Sequence, residues 1–88
     1  LPLQPNPFNP ATVVRLNVPE GGAEGTLAVY DLQGRRVRIL KSGTFTQGLQ
    51  EFQWDGRSDT GRAQASGIFL VRLETNNGVE VKKGMLVR

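Results

Sequence analysis

An all-β fold, a sandwich of two antiparallel sheets with about six or seven strands, is what this 88-residue chain predicts, and three observations carry the prediction. No stretch repeats its apolar residues with a helical period. Short runs of alternating apolar and polar residues recur instead, the pattern of strands with one buried face. Glycine-rich turns separate these runs, as they do in sandwiches. A closed barrel is the alternative arrangement.

The first strand is Thr12 to Val18, with Val14, Leu16 and Val18 on one face and Arg15 and Asn17 on the other. Pro19 and Gly21-Gly22 end it. The next run is Thr26 to Asp31, where Leu27 and Val29 share a face. Asp31-Leu32-Gln33-Gly34 has Asp at the first and Gly at the fourth turn position, a type I signature. The chain then returns through Arg36 to Leu40 as the second arm of a hairpin, with Val37 and Ile39 facing inward between arginines. In Leu49 to Trp54, Phe52 and Trp54 point inward, and the single tryptophan is expected to plug the core. A polar loop spans 55–66. Gly67 to Leu73 is the most continuously apolar run, which predicts an interior strand. Asn77-Gly78 closes the last hairpin, because Asn-Gly accepts the positive φ of such turns. A bulge at Gly78 sets Leu73 opposite Val81 and Phe69 opposite Met85, whereas a plain two-residue turn sets Leu73 opposite Lys82. The bulged register is preferred. The final strand runs from Val81 to Val87.

Composition bounds the function. The length suits one domain, residues 1–88, with a proline-rich entry segment at 1–10. The absence of cysteine removes disulfides and thiolate zinc sites, and the absence of histidine removes the commonest general base and metal ligand. A net charge of +3 arises from 11 basic and 8 acidic residues that are interspersed, with adjacent basic pairs only at Arg35-Arg36 and Lys82-Lys83. That is no basic stripe of the kind a nucleic-acid binder carries, so no nucleic acid is expected as partner. No apolar run approaches the roughly 20 residues of a membrane-spanning helix. No signal peptide is present, and the start at Leu1 without methionine reads as a piece of a longer protein.

The segment "PNPFNP" at 5–10 holds Asn6 and Asn9 in extended geometry, since each precedes a proline. Phe8 then reads as an anchor tucked under the sandwich rim. The competing reading, Pro7-x-x-Pro10 as a ligand for an aromatic groove, rests on a short and commonly matched pattern.

The stretches "PNPFNPAT", "VYDLQGRRV", "GLQEFQWDGRSDTGRAQASGIFLVRLE" and "KKGMLVR" together resemble the C-terminal sorting domain of the type IX secretion system, which is related to the Ig-like module of flagellar hook-capping proteins. The likeness runs in order over nearly the whole chain. It implies an Ig-like β-sandwich that acts without catalysis, directing a larger secreted protein across the outer membrane of a Gram-negative bacterium and attaching it to the cell surface. The implied partners are the outer-membrane secretion machinery, surface lipopolysaccharide, and a catalytic or adhesive domain upstream in the same chain. Carried onto this sequence, the entry motif is Asn6, Pro7, Phe8, Asn9 and Pro10, and the hairpin signature is Tyr30-Asp31 with Gly34. The middle signature is Trp54, Asp55 and Gly56 with Gly61 and Gly67, and the terminal signal runs through Lys82, Lys83, Gly84, Met85, Leu86, Val87 and Arg88. The chain departs from the family pattern at Gln4, where an aromatic is frequent, and at Gly84, where an apolar residue or lysine is usual.

Other chemistry is thinly represented. Asp55 and Asp59 stand four apart near Gly56 and Gly61 and faintly suggest a calcium loop, but Arg57 sits where a ligand is needed and no glutamate follows. The competing reading is a turn whose carboxylates bond nearby amides. Arg35, Arg36 and Arg38 suit anionic glycan or phosphate, and equally suit a solvated strand face. A carbohydrate-binding accessory module of a secreted hydrolase is the alternative function, with Tyr30 as its one stacking platform. Ser42, Ser58 and Ser66 lie in turns with no base nearby in the sequence, so no enzyme activity and no cofactor are expected.

Overall fold

The computed structural model describes residues 3, 4 and 12–87. The entry motif Asn6 to Pro10, with its Phe8 anchor, and Arg88 lie outside the described residues. Among the described residues seven strands occur: β1 (Leu3–Gln4), β2 (Thr12–Val18), β3 (Ala23–Tyr30), β4 (Arg36–Phe45), β5 (Gly48–Trp54), β6 (Gly67–Thr75) and β7 (Gly78–Leu86). They form an antiparallel three-stranded sheet ordered β1-β2-β5 and an antiparallel four-stranded sheet ordered β4-β3-β6-β7. The fold is the predicted all-β sandwich, with β6 interior as its apolar run requires.

The core is built by alternation. Val14, Leu16 and Val18 of β2 are buried and meet Leu27, Val29, Val37, Phe69, Val71 and Leu86 of the other layer. Trp54 is fully buried, its ring edge-on to Phe69 at 5.1 Å, and its indole N–H donates to the Arg57 carbonyl at 2.9 Å. That bond satisfies the one polar atom the indole brings inside. Phe45 is the second large aromatic of the core, stacked edge-on to Phe52 at 5.9 Å. Gly25 is where two strands come closest: a Cβ there would lie 1.8 Å from the Glu74 carbonyl oxygen, so only glycine fits between β3 and β6.

Two expectations are corrected. β4 is twice interrupted, with register shifts opposite Leu27/Ala28 and Val29/Tyr30. Each extra residue flips the side-chain phase. Val37 therefore stays inside, but Leu40 packs against the core where Ile39 was expected. The β6–β7 hairpin turns at Asn76-Asn77, which puts the pairing one residue from the bulged register and two from the plain one. Asn76 is tied into place from β3, its N–H donating to the Glu24 carbonyl and its side-chain oxygen accepting from the Glu24 N–H. Leu73 consequently faces Glu80, Phe69 faces Gly84, and Met85 faces Ile68.

Candidate recognition strand

The corrected register decides what β7 shows to the outside. Gly84 and Leu86 are buried, so Glu80 and Lys82 share their inward phase, while Val79, Val81, Lys83, Met85 and Val87 take the outward one. Val79 is 55% exposed, Val81 53%, Met85 47% and Val87 39%. On the neighbouring strand Ile68 lies opposite Met85 and Leu70 opposite Lys83, both half-buried, which widens the apolar face. β7 is also the last strand of its sheet and pairs with β6 alone among the described residues. Gly84, a departure from the sorting pattern, has a structural role here. It is buried and stands opposite Phe69 on β6.

At the other margin of the same sheet, the loop after Trp54 lies along β4. The Asp59 N–H donates to the Val37 carbonyl, and the Asp59 carboxylate accepts from the Ile39 N–H, both at 3.0 Å. Arg38 reaches back to the Ser58 carbonyl at 3.3 Å and to the Asp55 carboxylate at 3.6 Å. Within the loop, Asp55 accepts from the Arg57 N–H, Arg57 donates to the Gly61 carbonyl, and the Ser58 N–H donates to the Arg62 carbonyl. Asp55 and Asp59 are thus turned toward different backbone amides. Among the described residues, no group of three or more metal-ligating side chains is brought together.

The Asp31–Gly34 turn forms as read: the Gly34 N–H bonds the Asp31 carbonyl at 3.1 Å, with Gly34 at φ +84°. The Arg35 backbone N–H, against a counteracting desolvation, lowers the Asp31 carboxyl below its ordinary value, helped by the Arg35 guanidinium and the Gln33 N–H. Of the three arginines read as an anion surface, Arg35 is held by Asp31 and Arg38 by the loop, leaving Arg36 exposed at the start of β4. Tyr30 is half-buried, between Arg36 and Leu70 on the adjoining strands.

Residues 8–79 match the family model described as the FlgD Ig-like domain. The chain belongs to the FlgD Ig-like domain family. The basal-body rod modification protein FlgD of Salmonella typhimurium is 32% identical over 53 residues, 60% of this chain and 23% of that protein, so this chain spans about a quarter of its length. Among solved structures, the dimeric latent PorU of Porphyromonas gingivalis shares the fold with a TM-score of 0.77 and 28% identity over 97% of this chain and 9% of that one. PorZ of the same organism, described as an essential bacterial surface component of its type IX secretion system, gives 0.70 at 20% identity, covering 98% of this chain and 11% of PorZ. FlgD of Pseudomonas aeruginosa gives 0.59 at 20% identity over 85% of this chain and 60% of that one.

Within this Ig-like module, three residues carry more than the sequence disclosed. Phe45 and Asp59 hold the two ends of β4, and Val79 opens the outward stripe of β7. Asp59 had a signal, an Asp followed by Thr-Gly in a polar loop, but the amide it caps lies 20 residues away. Val79 read as turn because the turn was placed one residue late.

Proposed function

We propose that this module is a non-catalytic C-terminal sorting and attachment domain for a larger secreted protein, recognised through β7. One observation carries the reading: β7 combines a backbone edge with no described partner strand and an outward apolar stripe of Val79, Val81, Met85 and Val87. A soluble sandwich ordinarily guards such an edge, because it templates pairing with another chain. A terminal strand of this kind suits a partner that reads it by β-augmentation, main-chain bonds supplying affinity and alternate side chains supplying specificity. The ordered motifs from Asn6-Pro7-Phe8 to Lys83-Gly84-Met85 support a place in type IX secretion, as does the fold shared with PorU and PorZ.

Recognition falls on Lys82 to Val87 together with Val79 and Val81. The machinery that reads them belongs to the outer membrane, and the exported protein ends at the cell surface, with lipopolysaccharide as its anchor. Among the described residues no helix is long and apolar enough to cross a membrane. The test is delivery of a tagged cargo fused ahead of this chain. Deleting residues 83–88 should stop its arrival at the surface. Because Leu86 is fully buried and its loss loosens the core, the doubly substituted Val81→Thr, Met85→Thr cargo is run beside it. Normal delivery of both variants overturns the proposal.

A further inference from the structure

On the outer face of the four-stranded sheet, Tyr30 of β3 stands opposite Arg36 of β4 on one side and opposite Leu70 of β6 on the other. Residues opposite one another in a ladder share a face, so the three side chains form a row. The face is the outer one, because the neighbouring Val29, Val37 and Val71 are buried in the core. Arg36 is exposed, and Tyr30 and Leu70 are half-buried. Among the described residues, neither the Arg36 guanidinium nor the Tyr30 hydroxyl has a hydrogen bond or an ion pair.

The carboxylates at this end of the molecule are committed elsewhere. Asp31 accepts from the Gln33 N–H at 3.0 Å, and from the Arg35 N–H and guanidinium at 2.9 Å. Asp55 takes the Arg57 N–H and pairs with Arg38, and Asp59 caps the Ile39 N–H. The charge of Arg36 is therefore unanswered within the chain. A guanidinium fork grips a carboxylate or phosphate by two parallel bonds, and a phenol hydroxyl beside it can donate a third. Tyr30 and Leu70 extend that anion position into an apolar floor two strands wide, with strands about 4.8 Å apart, comparable to one sugar ring. Both residues sit on interior strands whose backbones are paired on each side. An added strand finds no backbone groups to pair with there, so side chains alone do the reading.

We infer that Arg36, Tyr30 and Leu70 form a binding site for an acidic sugar, a uronate or a sugar phosphate. Its acid group lies on the Arg36 guanidinium and the Tyr30 hydroxyl, and the apolar C–H face of its ring covers Tyr30 and Leu70. The site goes beyond the sorting reading and does not depend on it, since none of the three residues belongs to β7. Lys83, which follows Leu70 across the sheet, has an interaction of its own and is no part of the site.

The test titrates the purified chain with four probes: glucuronate, glucose 6-phosphate, glucose and inorganic phosphate. Amide signals across β3, β4 and β6 are followed by NMR. At least one acidic sugar should saturate in the millimolar range and shift the signals around Tyr30, Arg36 and Leu70. It should bind about tenfold more tightly than either glucose or inorganic phosphate, since each of those lacks one half of the ligand. The tighter of the two acids names the anion, carboxylate or phosphate. Arg36→Gln, an exposed change, should weaken binding about tenfold, and Tyr30→Phe, which keeps the ring, about three- to tenfold. Affinity that Arg36→Gln leaves unchanged overturns the inference, as does inorganic phosphate binding as tightly as the sugars. Shifts confined to other parts of the chain, or no saturation by either acid at millimolar concentration, overturn it as well.

Discussion

The four-stranded sheet has two margins, β4 and β7, and the chain treats them oppositely. β4 is a bulged strand whose exposed amides are answered by a loop: Asp59 supplies both an N–H to Val37 and a carboxylate to Ile39, much as a neighbouring strand would. β7 keeps an unbroken register with β6 from Gly78 to Leu86 and has no such cover among the described residues. Covering, bulging and charging are the ordinary ways of blunting an edge. β4 has all three, with Arg36 and Arg38 along it. β7 has only Lys82 and Lys83, set among exposed valines. The difference teaches that one sheet can finish its two margins by different means, β4 with a loop laid along it and β7 with an unbroken ladder to β6 and a lysine pair.

The largest expected effect comes from removing what holds the β4 clasp in place. Trp54 fills the core and also fastens the loop, through its bond to the Arg57 carbonyl. Trp54→Ala leaves a large cavity and a loop without its tether, and should cost about 3–5 kcal/mol. Against a total of roughly 5–15 kcal/mol, that is a large fraction of the stability. Chemical denaturation measures it. A loss under about 1 kcal/mol would mean that the indole is not the post on which the clasp depends.

A smaller and more selective effect is expected at Asp59. Asp59→Ala removes the acceptor for the Ile39 N–H while leaving the core untouched, and should cost about 1 kcal/mol. The informative readout is local. Amide exchange at Ile39 should quicken, and the protein should gain a concentration-dependent tendency to associate, because β4 would then resemble β7. If Ile39 exchanges as slowly as before, the clasp is held by other bonds and the contrast between the margins is weaker than drawn.

How much of this was legible in the sequence depends on whether a feature is local. The inward faces of Val14, Leu16 and Val18, the plug at Trp54, the interior place of β6 and the Asp31–Gly34 turn all follow from composition and period within a few residues, and the structure has each of them. The phase of a strand is another matter. In β7 the residues Val79, Val81, Met85 and Val87 form the more apolar of its two faces, so periodicity alone points them inward. A turn closed one residue earlier, fixed by Asn76 bonding across to Glu24, reverses that assignment. The same happens at Ile39 and Leu40, where a bulge exchanges the two faces. Alternation therefore reveals that a strand is two-faced, while contacts far along the chain decide which face is buried. The candidate site sits where those two sources disagree.

That disagreement yields the smallest expected effect on folding and the one that weighs most on the comparison. If Val81 and Met85 served the core, replacing both with threonine would cost several kcal/mol, as truncating buried aliphatic side chains does. Being about half exposed and outside the packed cluster, they should behave as surface positions, with each change within about 0.5 kcal/mol and threonine well suited to a strand. Denaturation midpoints of the double variant should lie beside those of the parent, whereas Val71→Thr on the adjacent strand, facing inward, should be clearly destabilised. Unchanged stability with lost partner binding would assign the stripe to recognition. A double variant that unfolds as readily as Val71→Thr would return Val81 and Met85 to the core, and the β7 margin of the sheet would then lack the side chains that make it readable.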